Sequence, residues 1–360
     1  MMTGRKRDLA KHEATPPTAP PVLLEDLRRM IEETRQGVAA TVNTALTLLY
    51  WRVGRRIKEE ILKGERAEYG EQILATVSQE LTRDFGRGFS YSALTRMVRL
   101  SEVFPEFEIV ATLSRQLSWS HFCELIPLDK PLQRDFYAEM CRVERWSVRV
   151  LRQKIASMLY ERTALSKKPE DLARAELDAL RAEDQLTPDL VFRDPYLLDF
   201  LGLSGAFQEK DLEAAILRDM EAFILELGAG FAFVARQKRL TLDGDDFYLD
   251  LLFYHRPLRR LVAIELKLDA FRPEHKGQME LYLRWLDKHE RQEGEDPPIG
   301  LILCAGKKHE QIELLELDAA GIQVAEYLVQ LPPKELLQQK LHRAIALAHE
   351  RIDRARGEGE

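Results

Sequence analysis

The chain has 360 residues, 45% hydrophobic and 31% charged, with a formal net charge of -7 at pH 7, a length that predicts two or three domains. No run of about 18 uncharged apolar residues occurs, and the basic N-terminus lacks the apolar core of a secretory signal, so we expect no membrane span. The three widely spaced cysteines, Cys123, Cys141 and Cys304, form no zinc pattern and are typical of a cytoplasmic protein.

The first half of the chain has the pattern of a helical domain. Residues 1–21 are basic and end in a proline-rich stretch, which predicts a disordered tail. Apolar residues then recur at helical spacing from 22 to 165 without a β-rich run, so we predict a mainly α domain, winged-helix-like in type. Gly86-Arg87-Gly88 separates a helix over 69–85 from one over 91–103, which is the outline of a helix-turn-helix.

Basic side chains are concentrated in this helical domain although the whole chain is acidic. Arg96 and Arg99 lie three residues apart on one helix, where they could reach DNA phosphates or guanine edges. The alternative is that these arginines belong to solvated helix faces, where arginines usually lie. The predicted DNA contacts are Arg87, Arg96, Arg99, Arg149 and Arg152.

The second half has the pattern of an α/β domain. Residues 166–186 are charged and helical, which predicts a linker, and residues 346–360 predict a charged tail. Between them, over 187–345, the order is helix, three strands, helix and strand, with helices on both faces of a mixed sheet. The predicted elements are a helix over 210–227, strands over 231–237, 247–254 and 260–267, a helix over 273–289, strands over 299–304 and 322–329, and a helix over 335–356.

The two strands at 247–254 and 260–267 carry charged residues where a buried strand is expected to be apolar. Pro257 suits the second position of a tight turn between them. If the hairpin is symmetric about Pro257 and Leu258, Asp250 lies opposite Glu265. Strand alternation then places Glu265 and Lys267 on one face. Such charges are costly there unless they are paired or bound to a metal ion.

Two carboxylates and an ammonium are the side chains that a magnesium-dependent phosphodiesterase requires. A bound Mg²⁺, or Mn²⁺, takes hard oxygen ligands and can neutralise a phosphate and activate water. Asp250, Glu265 and the backbone carbonyl of Leu266 are the predicted ligands, and Lys267 could orient the attacking water. A purely structural ion pair between Lys267 and either acid is the alternative for this motif taken alone.

The segment resembles the catalytic core of the PD-(D/E)XK nuclease superfamily, whose signature is D…ExK on an αβββαβ core. Asp250 and Glu265-Leu266-Lys267 match this signature, although Leu249 stands where the family name has proline. The resemblance implies a restriction-endonuclease-like domain. It also implies site roles for Gln278 and Tyr282, which match a QxxxY motif, and for an acid on the first helix, Glu213 or, as second choice, Glu221.

The whole chain, over roughly 22–330, is similar to the YhcG-like bacterial family, in which a helical domain precedes such a nuclease. The blocks that carry this resemblance include LYWRVGRRI, GRGFSYSAL and LSWSHF before residue 165, and DDFYLDLLFYH and VAIELKLDAFRPEHKGQMELYL after it. We therefore expect an α+β and α/β multidomain protein. The resemblance implies a DNase-like fold. Our first interpretation is a metal-dependent DNA endonuclease in recombination, repair or defence against foreign DNA.

Two other functions stay open at this point. The chain could be a non-catalytic DNA-binding or assembly subunit of a restriction or mobile-element system, with a structural ExK motif. RNA is a further candidate substrate. The sequence also leaves the oligomeric state open, a homodimer included.

Overall fold

Two compact units make up the described residues, 41–59 and 67–357 of a computed structural model, and the division falls between Trp119 and Ser120. The predicted tail at 1–21 lies outside the described residues, and so does the start of the helical domain predicted from residue 22. This division differs from the predicted one at 165/166, because helices after residue 120 pack with the sheet domain that follows. The predicted domain limits, 22–165 and 187–345, stay predictions.

The described residues of the first unit form helices joined by short turns. Helix α1 covers residues 41–59. It packs against α3, Tyr91–Val103, so closely that a Cβ on Gly54 would lie 1.8 Å from the Met97 carbonyl oxygen. Ile57, Leu94 and Met97 are buried at this contact. The remaining helices of the unit are α2 Ala67–Phe85, α3 Tyr91–Val103 and α4 Phe107–Leu113.

A short 3-10 turn, Arg87–Phe89, joins α2 to α3. The helix pair that the glycines around Arg87 predict is thus present, and Ser90 directly precedes α3. The winged-helix form is not confirmed, because residues 41–59 and 67–119 contain no β strand. The region is mainly helical, as predicted.

Helices also begin the second unit. Ser147 caps α7, Val148–Ala156, because its hydroxyl accepts a hydrogen bond from the Val150 N–H at 3.3 Å. A second short helix follows α7 directly, and Met158 between the two has a φ of 53°. The helices of this part are α5 Trp119–Leu125, α6 Pro131–Glu144, α7 Val148–Ala156, α8 Leu159–Arg162, α9 Glu170–Glu183 and α10 Pro188–Val191.

The segment predicted as a linker contains α9, and this helix packs on α6. Its narrow apolar stripe, Ala173, Leu177 and Leu180, is buried. Arg181 of α9 also pairs with the buried Glu139 of α6 at 2.7 Å. Residues 166–186 are therefore part of the packed second unit.

A six-stranded mixed sheet forms the centre of the second unit, in the order β1-β6-β5-β4-β3-β2. The pairs β1/β6, β6/β5 and β5/β4 are parallel, whereas β4/β3 and β3/β2 are antiparallel. The predicted order of helix, three strands, helix and strand is confirmed, and the short β1 was not predicted. The strands are β1 Tyr196–Leu197, β2 Phe231–Leu242, β3 Asp245–His255, β4 Arg260–Ala270, β5 Ile299–Gly306 and β6 Ile322–Leu328.

Helices cover both faces of this sheet. Leu212, Ile216 and Phe223 pack on one face, and Met279 and Leu286 pack on the other. The helix predicted over 210–227 is interrupted at Asp219, which separates α11, Glu209–Arg218, from α12, Met220–Leu227. The helices here are α11 Glu209–Arg218, α12 Met220–Leu227, α13 Pro273–His289, α14 His309–Leu314 and α15 Lys334–Gly357. Within the described residues, none of the helices is both long and apolar enough to cross a membrane.

The β3–β4 hairpin has the register expected from its turn. His255 pairs with Arg260 and Leu251 pairs with Ile264, so the hairpin is symmetric about Pro257 and Leu258. The Arg259 N–H closes the turn on the Arg256 carbonyl at 3.1 Å. Continuing this register by one residue places Asp250 opposite Glu265.

Candidate active site

The backbone ladder between β3 and β4 gives way to side-chain contacts at Asp250. The last paired residues are Leu251 and Ile264. Beyond them, the Asp250 N–H donates to Glu265 Oε1 at 3.3 Å, and the Leu266 N–H donates to Asp250 Oδ2 at 2.9 Å. The two acids thus occupy the gap between strands, where each is held by the other strand's backbone.

Glu265 and Lys267 lie on one face of β4, as strand alternation predicts. Lys267 Nζ is 3.0 Å from Glu265 Oε2, and the exposed fractions of the two side chains are 17% and 4%. This ion pair is common to the structural and the catalytic interpretation of the motif. The two interpretations differ in the additional acids around this pair, which a purely structural ion pair does not need.

Glu213 on α11 is joined to Asp250 through Gln237 on β2. The Gln237 amide nitrogen lies 3.0 Å from Glu213 Oε2 and 3.0 Å from Asp250 Oδ1. None of the described hydrogen bonds of Asp250 or Glu265 involves Glu221, which is exposed at the start of α12. Of the two first-helix candidates, Glu213 is therefore the one in contact with the site.

The two residues of the QxxxY motif meet on one side of α13. Gln278 Nε2 donates to the Tyr282 hydroxyl at 2.8 Å and lies 3.5 Å from Glu265 Oε2. The Tyr282 hydroxyl donates to the Tyr248 carbonyl of β3 at 3.4 Å. The four-residue spacing brings both side chains to the same helix face, toward β3 and β4.

Burial and mutual repulsion make these carboxyl groups weaker acids than usual. Burial, and then the Asp250 carboxylate, raise the pKa of Glu265 to about 7, although Lys267 acts in the opposite direction. Burial also raises the pKa of Asp250. The pKa of Glu213 is raised by burial and by Asp250. Like charges held close together in this way are typical of functional sites and favour the binding of a cation.

Lys267 keeps its positive charge in this setting. Burial alone would lower its pKa, but Glu265, Glu209 and Asp250 together raise the pKa of the ammonium group. The neighbouring acids thus stabilise the charged form of Lys267. A charged ammonium is what the role of orienting the attacking water requires.

Two contacts of the site were missed from the sequence. Glu209, at the start of α11, accepts a hydrogen bond from the Leu268 N–H at 3.4 Å and helps to keep Lys267 charged. Gln237 was missed because a glutamine in an edge strand does not by itself indicate a functional site. Their helix and strand were predicted, but their approach to Asp250 and Lys267 depends on how the elements pack.

The predicted DNA contacts are exposed in both units. Arg99 donates to Glu102 at 3.3 Å, and Arg152 pairs with Glu124 at 2.6 Å. Both arginines remain largely open to solvent, since their side chains are 51% and 66% exposed. Arg87, Arg96 and Arg99 belong to the first unit, and Arg149 and Arg152 belong to the second.

The donor set at Asp250 fits a divalent cation in its chemistry. Carboxylate oxygens from two or three acids are the ligands that a hard cation such as Mg²⁺ prefers. No group of three or more histidine, cysteine, aspartate or glutamate side chains in the described part of the chain is already arranged as a metal site. The acids instead contact Gln237, Lys267 and backbone N–H groups.

The fold and the acids of the β3–β4 hairpin are those of a nuclease domain, and comparison with known families agrees. Residues 189–342 match the family described as the YhcG PDDEXK nuclease domain, and residues 26–162 match the DUF1016 N-terminal domain. The chain is 34% identical over 355 residues to the candidate nuclease YhcG of Escherichia coli (strain K12), covering 89% of this chain and 93% of that protein. The chain therefore belongs to the YhcG family, as its resemblance predicted.

Solved structures match the chain more distantly. A repair endonuclease from Pyrococcus abyssi is 19% identical with a TM-score of 0.24, covering 36% of this chain and 50% of that one. A complex of EndoMS with double-stranded DNA is 17% identical with a TM-score of 0.27, covering 36% and 49%. The chain spans about half the length of these proteins.

Proposed function

We propose that this protein is a DNA endonuclease that depends on Mg²⁺, with Mn²⁺ as a substitute. The observation that carries the proposal is the meeting of two acids at the end of the β3–β4 ladder. Glu265 accepts from the Asp250 N–H, Asp250 accepts from the Leu266 N–H, and Lys267 lies 3.0 Å from Glu265. A structural ion pair would need one acid. Here three acids are gathered at the site, and each has a raised pKa.

Asp250, Glu265 and the carbonyl of Leu266 would hold the cation. The N–H and C=O of one residue in an extended strand point to the same side. Since the Leu266 N–H donates to Asp250, its carbonyl faces the same gap. A divalent cation bound there would neutralise charge on a phosphate and lower the pKa of a bound water.

The remaining side chains would act around that cation. The Lys267 ammonium would hold the attacking water and offset charge on the phosphate, because its acid neighbours keep it protonated. Gln278 and Tyr282 would fix the Glu265 carboxylate through their contacts on α13. Glu213 would add a third oxygen donor or orient a ligand water.

DNA would be held by exposed arginines of the helical region. Arg87, Arg96, Arg99, Arg149 and Arg152 are exposed and therefore able to contact phosphates without desolvation of a buried charge. The homodimer, the cytoplasmic location and a part in recombination, repair or defence stay predictions.

The test is cleavage of supercoiled, linear and branched DNA by the purified chain with Mg²⁺, Mn²⁺ or chelator. We expect metal-dependent cleavage that is lost in Asp250→Asn and retained in Asp287→Asn, a matched change at an exposed residue of α13. Equal cleavage by wild type and Asp250→Asn would refute the assignment. DNA binding without any cleavage would favour the non-catalytic alternative, and cleavage of RNA alone would change the substrate.

A further inference from the structure

Gln237 joins two acids of the candidate site through one amide nitrogen. Its Nε2 lies 3.0 Å from Glu213 Oε2 and 3.0 Å from Asp250 Oδ1. An amide NH₂ group has two hydrogens, so it can donate to both carboxylates at once. Without a bridging donor, the two acids would be driven apart by the repulsion that already acts between them.

The backbone of Gln237 is unusual for a strand. Its φ is 45°, in the left-handed region, and among the described residues it is the one non-glycine residue with positive φ inside a β strand. The others lie in turns or beside helix ends. Such a conformation is unfavourable for a residue with a side chain, and it is often found where a side chain has a functional position.

The distortion falls directly opposite Asp250. Arg236 pairs with Leu251 and Lys238 pairs with Leu249, so the register leaves Gln237 facing Asp250 without a ladder pair of its own. The β2–β3 pairing is therefore regular immediately before and immediately after Gln237. The local change at Gln237 is confined to the position where its amide reaches Asp250 and Glu213.

We propose that Gln237 is a positioning residue that holds the Glu213 carboxylate beside Asp250, so that Glu213 belongs to the divalent-cation site. This inference rests on the proposed function, because it requires that Asp250 binds the cation. α11 and β2 are separate elements, and the Gln237 amide is the contact that ties the Glu213 carboxylate of α11 to Asp250. Loss of the amide leaves Glu213 free to turn toward solvent.

The test is Mn²⁺ binding to the full chain, measured by titration calorimetry, with thermal melting as the control for folding. Gln237→Gly removes the side chain and accepts the left-handed backbone, whereas Gln237→Met keeps the size and the backbone strain but removes the hydrogen bonds. We expect both variants to bind Mn²⁺ 10- to 100-fold more weakly than wild type, as is usual when a ligand's hydrogen-bond partner is lost. We also expect Gln237→Gly to melt no lower than wild type.

A double-mutant comparison separates positioning from simple support of the fold. If Gln237 acts through Glu213, Gln237→Gly combined with Glu213→Gln should bind Mn²⁺ within about twofold of Glu213→Gln alone. Cleavage by Gln237→Gly should recover at high Mn²⁺, so that the metal requirement rises and the saturated rate changes little. Additive losses, or a loss in Gln237→Gly without one in Gln237→Met, would overturn the inference.

Asp250→Asn distinguishes failure of this inference from failure of the proposed function. If Asp250→Asn binds Mn²⁺ as tightly as wild type, the cation site itself is misplaced and both ideas fail. If Asp250→Asn loses Mn²⁺ and both Gln237 variants retain it, only the positioning role of Gln237 is overturned.

Discussion

Replacing Glu265 by glutamine should abolish cleavage and at the same time stabilise the metal-free protein at neutral pH. Glu265 is only 3% exposed, and burial is the largest cause of its raised pKa of about 7. A carboxylate that is hard to ionise in the folded state opposes folding wherever it is ionised in the unfolded state. Glutamine has nearly the same shape and carries no charge. Its one oxygen can accept the hydrogen bond from Lys267, but its NH₂ group cannot accept the Asp250 N–H, so the gain that follows from the pKa is an upper limit.

The size of the effect follows from the two pKa values of Glu265. A pKa of about 7 in the folded state against an ordinary 4.5 corresponds to about 3 kcal/mol, at 1.36 kcal/mol per pKa unit. Between pH 4.5 and 7, Glu265 is protonated in the folded state but largely ionised in the unfolded state. The stability of the wild-type protein therefore falls as pH rises through this range. Below this window the carboxyl is protonated in both states and the gain from glutamine disappears. Above it the whole gain is present.

The assay is thermal unfolding in chelator at pH 5 and pH 8, with circular dichroism as the readout. For a unit of this size, about 3 kcal/mol corresponds to a rise in Tm of roughly 6 to 12 °C at pH 8. Much of that rise should vanish at pH 5, where only the first part of the window has been crossed. Glu221→Gln is the matched control, because Glu221 is exposed on α12 and should change little at either pH.

Added Mg²⁺ should reverse the order of the two proteins. A ligand that binds only the folded state raises stability with its concentration, and wild type would bind the cation while Glu265→Gln would not. A glutamine variant that is less stable than wild type at pH 8 without metal, or that gains equally at both pH values, would refute this account of Glu265.

Three further outcomes are expected. Lys267→Met should lower the cleavage rate by about 10²-fold or more while DNA binding persists, because its ammonium acts on the water and phosphate; single-turnover kinetics and DNA-binding titration would show it, and unchanged cleavage would leave Lys267 as an ion-pair partner. Gln278→Ala should reduce the rate less than Asp250→Asn in the same kinetics, since it supports Glu265 at 3.5 Å without binding the cation; a fully inactive Gln278→Ala would make it essential. Arg96→Ala with Arg99→Ala should flatten the slope of log affinity against log salt by about 1.8, the loss of two phosphate contacts; an unchanged slope would make both arginines ordinary surface residues.

The hairpin at the site was predictable because its information is local. Pro257 favours the turn, and the apolar residues on each side set the strand register, so Asp250 could be placed opposite Glu265 from spacing alone. Helix α13 begins at the proline and ends at the histidine that the pattern predicts. Gln278 and Tyr282 followed, since their spacing puts them on one helix face.

Helix ends were predicted less well where one residue changes the backbone direction. Met158 and Asp219 interrupt helices whose apolar pattern continues across them. Neither residue is a glycine or proline, so the pattern alone does not show the break. The short strand β1 was missed for a similar reason, because two residues pair with β6 only through the arrangement of the whole sheet.

Residue type and spacing were sufficient to predict the class of fold and the register of the β3–β4 hairpin. They were also sufficient to predict that Asp250, Glu265 and Lys267 lie together on that hairpin. Only the tertiary structure decided which first-helix acid approaches Asp250, that Glu209 supports Lys267, and that Gln237 bridges Glu213 and Asp250. The physical reason is separation along the chain. Contacts within a hairpin or a helix turn follow from periodicity, whereas contacts between α11, β2 and β3 depend on packing and on a left-handed backbone at Gln237 that no local pattern indicates.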